Sequence, residues 1–229
     1  LFEGSMMHRD ALGTAVEIQP GAVNWMTAGK GLVHSERTPD YLRHSEKLMH
    51  GLQIWVALPK ELEMMEPEFF HIGQAELPAW KDGEASFKLI AGEAFGRKSP
   101  VPVYSKLFML EIKSPVQQTI NIGTALFGEA GLYILEGSIE SEGTTFEPKQ
   151  LLVAKEATLC SFVIQANTTV YIFGGEPFPE ERFIYWNFVA TSVERIEEAK
   201  QQWKDQQFKM IEGETGFIPL PETKAQLKR

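Results

Sequence analysis

Cysteine is almost absent from this 229-residue chain: Cys160 stands alone, so no disulfide can form within it. A single cysteine fits a reducing compartment, and the alternating run Thr158-Leu159-Cys160-Ser161-Phe162-Val163-Ile164 makes it a small buried hydrophobe. Long apolar runs are missing too, since none approaches the roughly 18 residues of a membrane-spanning helix. Positive charge is scarce: 22 Lys and Arg against 31 Asp and Glu leave a net charge of −9. A nucleic-acid backbone demands clustered Lys and Arg, so direct nucleic-acid binding is excluded. Any role at DNA would pass through a protein partner. An initiator methionine is lacking as well. The opening Leu1-Phe2-Glu3-Gly4-Ser5 reads as the end of a strand whose beginning lies upstream, so no targeting signal can be read. A cytoplasmic location is expected, with the nucleus added in a eukaryote.

What is present is an ordinary globular composition, 43% hydrophobic and 23% charged, with room for one large all-β domain or two smaller ones. Up to about residue 59, turns at Gly13, Pro20-Gly21 and Gly29/Gly31 separate short strands such as Ala15-Val16-Glu17-Ile18. Trp25 and Met26 read as core. Pro39 to Lys47 is a charged loop, and Leu48 to Leu58 is a strongly apolar strand ended by Pro59. Residues 60 to 86 form a long connection with one or two short strands. Strand character resumes at Phe87 to Gly92 and again from Tyr104 to Ile112.

The most informative stretch runs from Trp25 to Glu36. Behind its Gly29 and Gly31 turn, His34 and Glu36 stand two positions apart. A strand repeats every second residue, so both side chains share one face. An imidazole beside a carboxylate, facing a barrel interior, is half of a metal site suited to iron, manganese, nickel or zinc. The alternative for so short a pattern is a surface strand with two polar residues.

The second half of the chain echoes the first. Leu1-Phe2-Glu3-Gly4-Ser5-Met6 returns as Ile134-Leu135-Glu136-Gly137-Ser138-Ile139, Ile18-Gln19-Pro20-Gly21 as Phe146-Glu147-Pro148-Lys149, and Gln53-Ile54-Trp55-Val56 as Val170-Tyr171-Ile172-Phe173. Three echoes in one order favour a duplicated β-module. After Gly174-Gly175-Glu176-Pro177 the texture becomes helical. Thr191 is the expected cap, with Glu194 completing a capping box. Val193, Ile196, Ala199, Trp203 and Phe208 supply the apolar stripe of a bracing helix. Gly216 to Pro221 should dock in extended form, and Thr223 onward should fray.

The strings Trp25-Met26-Thr27-Ala28-Gly29, Gly31 and His34-Ser35-Glu36 resemble the pirin family of the cupin superfamily. So do His50-Gly51-Leu52-Gln53-Ile54-Trp55-Val56, Glu66-Pro67, and Gly174-Gly175-Glu176-Pro177 followed by Trp186-Asn187-Phe188-Val189. The resemblance runs from Leu1 to Pro221. It implies an all-β fold of two tandem cupin (jelly-roll) barrels with a C-terminal α-helix. The expected division is 1–115 for the first cupin, lacking its first strands, 116–190 for the second, and 191–229 for the helix and docking tail.

In pirins three histidines and one glutamate hold iron, Fe(II) or Fe(III), in the first barrel only. The resemblance places the third histidine and the glutamate at His34 and Glu36. It places the other two histidines in an H-x-H pair upstream of Leu1. His8, His44, His50 and His71 are expected to be structural or solvated. The second module, with no H-x-H or H-x-E of its own, should be metal-free and packed by side chains. Two functions follow from the resemblance. One is a quercetin 2,3-dioxygenase-type oxidoreductase opening a flavonol ring with O2, with Glu36 as catalytic base. The other is a non-enzymatic, iron-dependent redox-sensing regulator, a transcription cofactor acting through protein partners. A structural cupin without metal is the third reading. The expected partners are a small aromatic substrate or a regulatory protein, and the expected state is a monomer.

Overall fold

The computed structural model describes residues 1–154 and 161–221. Cys160 and the tail from Thr223, on which two expectations rest, lie outside the described residues. In chain order the strands are β1 (Met6–Asp10), β2 (Ala15–Ile18), β3 (Val23–Thr27), β4 (His34–Arg37), β5 (Glu68–Ile72), β6 (Ala79–Asp82), β7 (Ala85–Ala94), β8 (Arg97–Lys98) and β9 (Leu107–Ser114). They continue with β10 (Gln118–Asn121), β11 (Glu129–Glu136), β12 (Ile139–Ser141), β13 (Thr144–Phe146), β14 (Leu151–Ala154), β15 (Ser161–Ile164) and β16 (Thr168–Gly175). The hairpin β17 (Phe183–Tyr185) and β18 (Phe188–Ala190) precedes the helix α1 (Val193–Lys204). The chain is therefore all-β with one C-terminal helix. No helix among the described residues is long and apolar enough to cross a membrane.

Two compact units emerge. One comprises Leu1–His71 together with Phe178–Arg229, the other Ile72–Pro177. Residue 115 falls inside the second unit, where β9 pairs with β7 before it and with β16 after it. The second unit holds a seven-stranded sheet ordered β14-β11-β16-β9-β7-β6, with β8 on β7, and a four-stranded sheet ordered β10-β15-β12-β13. Its long strands alternate, as a sheet with one buried face requires. Leu110, Ile112, Leu132, Ile134, Val170 and Ile172 from the larger sheet meet Ile120, Ile139, Phe162 and Ile164 from the smaller. Side chains therefore fill the interior of this unit.

The first unit contains a three-stranded sheet ordered β2-β1-β4, the pair β3-β5, the β17-β18 hairpin and α1. Two of the three sequence echoes are visible as backbone. Gly4 and Gly137 both take the left-handed conformation, φ 80° and 73°, which explains glycine after glutamate in both copies. The position after the echoed proline is left-handed in both as well, at Gly21 (φ 81°) and at Lys149 (φ 66°). The third echo breaks down. Val170 to Phe173 lie in β16, but Leu48 to Leu58 is not a strand; it carries a single bridge, Glu3 to His50. There the His50 carbonyl accepts from Phe2 N (2.7 Å) and Glu3 N (3.1 Å), and His50 N donates to the Glu3 carbonyl (3.1 Å). Beyond it Leu52, Trp55 and Val56 are exposed. An apolar run becomes a strand only where a neighbour takes up its N–H and C=O groups.

The helix is capped one residue later than expected. The Ser192 hydroxyl accepts from Arg195 N at 3.3 Å, because the Thr191 hydroxyl instead donates to Glu63 Oε2 at 2.9 Å. The helix stops at Lys204, and Phe208 lies beyond it, its ring so close to Gly31 that a Cβ there would stand 2.4 Å from Cε1.

Ile172 is fully buried, whereas Val153 is 72% exposed. Ile172→Ala is expected to lower unfolding free energy by about 2–5 kcal/mol, and Val153→Ala by less than about 1 kcal/mol. Urea unfolding midpoints of the two variants check this.

Candidate functional site

The ladder between β1 and β4 positions the candidate residues. Its antiparallel register sets His8 opposite Glu36 and Asp10 opposite His34. Directly opposed residues lie on the same side of a sheet, so these four share one face. Met7, Arg9, Ser35 and Arg37 share the other, with Met7 opposite Arg37 and Arg9 opposite Ser35. His34 and Glu36 thus do stand side by side. Both are exposed to solvent, with β4 at the edge of its sheet. His34 Nδ1 lies 3.4 Å from the Leu32 carbonyl.

His8 takes the structural one of its two expected roles. It is 2% exposed, lies in β1, and stacks on Phe69 at 4.2 Å between ring centroids and on His34 at 5.7 Å. Its Nε2 is 3.2 Å from Asp10 Oδ2. Asp10 Oδ1 accepts from Leu12 N (2.9 Å) and Thr14 N (3.0 Å), which closes the β1–β2 turn. Burial holds the His8 imidazole below its ordinary value of 6.5, against the opposing pull of Asp10. A neutral imidazole donating from Nε2 to the Asp10 carboxylate satisfies both buried groups. For Asp10, burial pushes the carboxyl up, but the Thr14 N–H, His8 and the Leu12 N–H together hold it below 3.8. The sequence reading passed over Asp10 altogether. The available signal was a second histidine and acid at strand spacing, His8-Arg9-Asp10, matching His34-Ser35-Glu36.

The remaining histidines lie elsewhere. His44 is exposed, His50 sits edge-on to Phe2 at 5.0 Å, and His71 Nδ1 lies 2.7 Å from Asn24 Oδ1. Among the described residues no three His, Cys, Asp or Glu side chains are grouped to hold a metal ion. Asp10 occupies Nε2 of His8, and His34 and Glu36 remain as a pair of donors. Two donors do not complete an iron site.

Two family models match the chain: "Pirin" over residues 1–56 and "Pirin C-terminal cupin domain" over residues 109–209. A pirin-like protein of Caulobacter vibrioides is 44% identical over 97% of this chain and 77% of its own length. This chain belongs to the pirin family. A Pseudomonas aeruginosa protein named as a candidate quercetin 2,3-dioxygenase is 34% identical over 90% of this pirin-family chain, which spans 64% of that protein. The crystal structure of a quercetin 2,3-dioxygenase from Acinetobacter baumannii superposes with a TM-score of 0.87 at 30% identity. The match covers 99% of this chain and 75% of that one.

On the reverse face, the C-terminal tail docks through Glu214. Its carboxylate accepts from Ser35 Oγ at 2.7 Å and from Arg37 Nη2 at 3.0 Å. The Ser35 hydroxyl and then Arg37, with Arg9 more distant, hold the Glu214 carboxyl below 4.5 although burial opposes them. A folded value depressed in this way adds stability that is present above about pH 4.5 and is lost as pH falls through the folded value. Trp203 reports the event, since its Nε1 donates to the Ile218 carbonyl at 2.9 Å and its ring stacks on Phe217. Acid titration of tryptophan fluorescence should show a tail-release transition below pH 4.5 that Glu214→Gln removes. The amplitude should correspond to about 0.2–1 kcal/mol, the scale of a rim ion pair.

Proposed function

We propose that this chain is the greater part of a pirin-type dioxygenase acting on a flavonol, with His34 and Glu36 as two of its iron ligands. The observation that carries the proposal is the placement of His34 and Glu36 on one face of β4 in a chain that belongs to the pirin family. Relatives named for quercetin 2,3-dioxygenase point the same way. The described residues supply only half of a ligand set, and the remaining histidines are assigned to an H-x-H upstream of Leu1. The Glu3–His50 bridge leaves the open edge beyond His50 for such a segment to enter as an antiparallel strand.

Bound iron would supply redox chemistry with O2. The protein's own part is simpler. The Glu36 carboxylate, exposed and beside an imidazole, is placed to accept the hydroxyl proton of a flavonol. Buried His8 and Asp10, with half-buried Phe69 stacked on His8, hold the neighbouring backbone in register.

The test uses the chain extended upstream through the H-x-H segment, loaded with iron without oxygen, then mixed with quercetin in air while its absorbance is followed. Turnover is expected, with Glu36→Gln lowering kcat/KM by at least about 100-fold, the scale of a lost general base, and His34→Ala abolishing both iron binding and turnover. Iron bound without turnover, together with a specific protein partner, would favour the regulator reading instead. Turnover unchanged in both variants would refute the assignment of His34 and Glu36.

A further inference from the structure

Behind the candidate metal face lies a cleft of about 500 Å³ that the proposed chemistry does not use. Its walls carry Arg9 from β1, Arg37 from β4 and Arg43 from the turn after Pro39, facing Asp40, Glu212 and Glu214. Such a volume suits a small molecule. We propose that this cleft binds a small polyanion bearing carboxylate or phosphoryl groups, and that Glu214 occupies one of its oxyanion positions in cis.

Three observations support the assignment. First, Ser35 and Arg37 already hold a carboxylate there, with Glu214 side-chain exposure at only 17%. A hydroxyl and a guanidinium converging on two oxygens form a ready oxyanion cradle. Second, the Arg9 guanidinium makes no hydrogen bond or ion pair with any described residue, and it lines the same cleft. Third, among the described residues the Arg43 guanidinium pairs only with Asp40, at 2.8 Å, and both side chains are more than half exposed. An exposed pair three residues apart is worth little, so a ligand can displace Asp40 from Arg43 at small cost. Three guanidinium forks from three elements line this cleft, set against the carboxylates of Asp40, Glu212 and Glu214. Planar forks fit carboxylates and phosphates equally well. The site stands apart from the dioxygenase reading, because alternation along β4 puts Ser35 and Arg37 on the side away from His34 and Glu36.

Isothermal titration of the 229-residue chain at fixed ionic strength tests the proposal, with pyrophosphate and citrate as the two probes. Saturable one-to-one binding of either probe is expected, and the probe that binds more tightly identifies the phosphoryl or the carboxylate class. Arg9→Gln and Arg43→Gln should each weaken binding by at least about tenfold, the scale of a lost charge-assisted hydrogen bond. Glu214→Gln should tighten it by removing the internal competitor. Arg43 is more than half exposed, so Arg43→Gln decides the matter even where Arg9→Gln fails to fold. Absence of saturable binding up to about 10 mM of both probes, a concentration where even a weak millimolar site would fill, would overturn the proposal. So would binding that Arg43→Gln leaves unchanged.

Discussion

The antiparallel ladder between β1 and β4 governs what the first unit can do. It forces His8, Asp10, His34 and Glu36 onto one side and Met7, Arg9, Ser35 and Arg37 onto the other. A slip of one residue would exchange the two sets, because strand side chains alternate with a period of two. Asp10 guards against that slip. Its carboxylate ties the turn N–H groups of Leu12 and Thr14 to the His8 ring, so turn geometry, register and the burial of His8 are fixed together. The back of the same strands then receives the tail through Glu214. One ladder thus separates a histidine and carboxylate face from an arginine face.

The second unit solves a different problem. Its buried face is apolar throughout the described cluster, from Phe87 on β7 to Ile172 on β16. Charged and polar groups occupy the other face of the large sheet, where Lys88, Glu111 and Tyr171 stand in adjacent register on β7, β9 and β16. There the Tyr171 hydroxyl donates to Glu111, and Lys88 and Lys113 approach the same carboxylate at 3.4 and 3.3 Å. Burial pushes the Glu111 carboxyl up, but Tyr171 and the two lysines outweigh it and hold the group ionised. Duplicated turns at Gly4 and Gly137 therefore serve units of different character: one carries polar groups on its strand faces, the other a packed interior.

Much of this was legible without coordinates. The all-β class followed from period-two alternation and regular turn punctuation. The duplicated turns followed from matched Glu-Gly steps, since few residues besides glycine tolerate a positive φ. The shared face of His34 and Glu36 followed from spacing alone. Other expectations failed for physical reasons. Leu48 to Leu58 has the composition of a strand, yet composition cannot provide the neighbour that its backbone requires. Thr191 looked like a cap, but its hydroxyl bonds Glu63, a residue 128 positions away. His8 was expected to be structural or solvated, and its neighbours could not be named because neither Phe69 nor Glu36 is near it in sequence.

By itself the sequence determined local things: which residues alternate, where the chain must turn, and the family to which its motifs point. Those properties depend on side-chain period and backbone sterics, which act over a few residues. Only the tertiary structure decided that His8 and Asp10 join His34 and Glu36, and that Arg9, Arg37 and Arg43 converge with Glu214. These groupings depend on strand register and on the return of the tail across 177 positions from Arg37 to Glu214. No local pattern encodes such long-range pairings, because they are set by which surfaces bury one another when the whole chain folds.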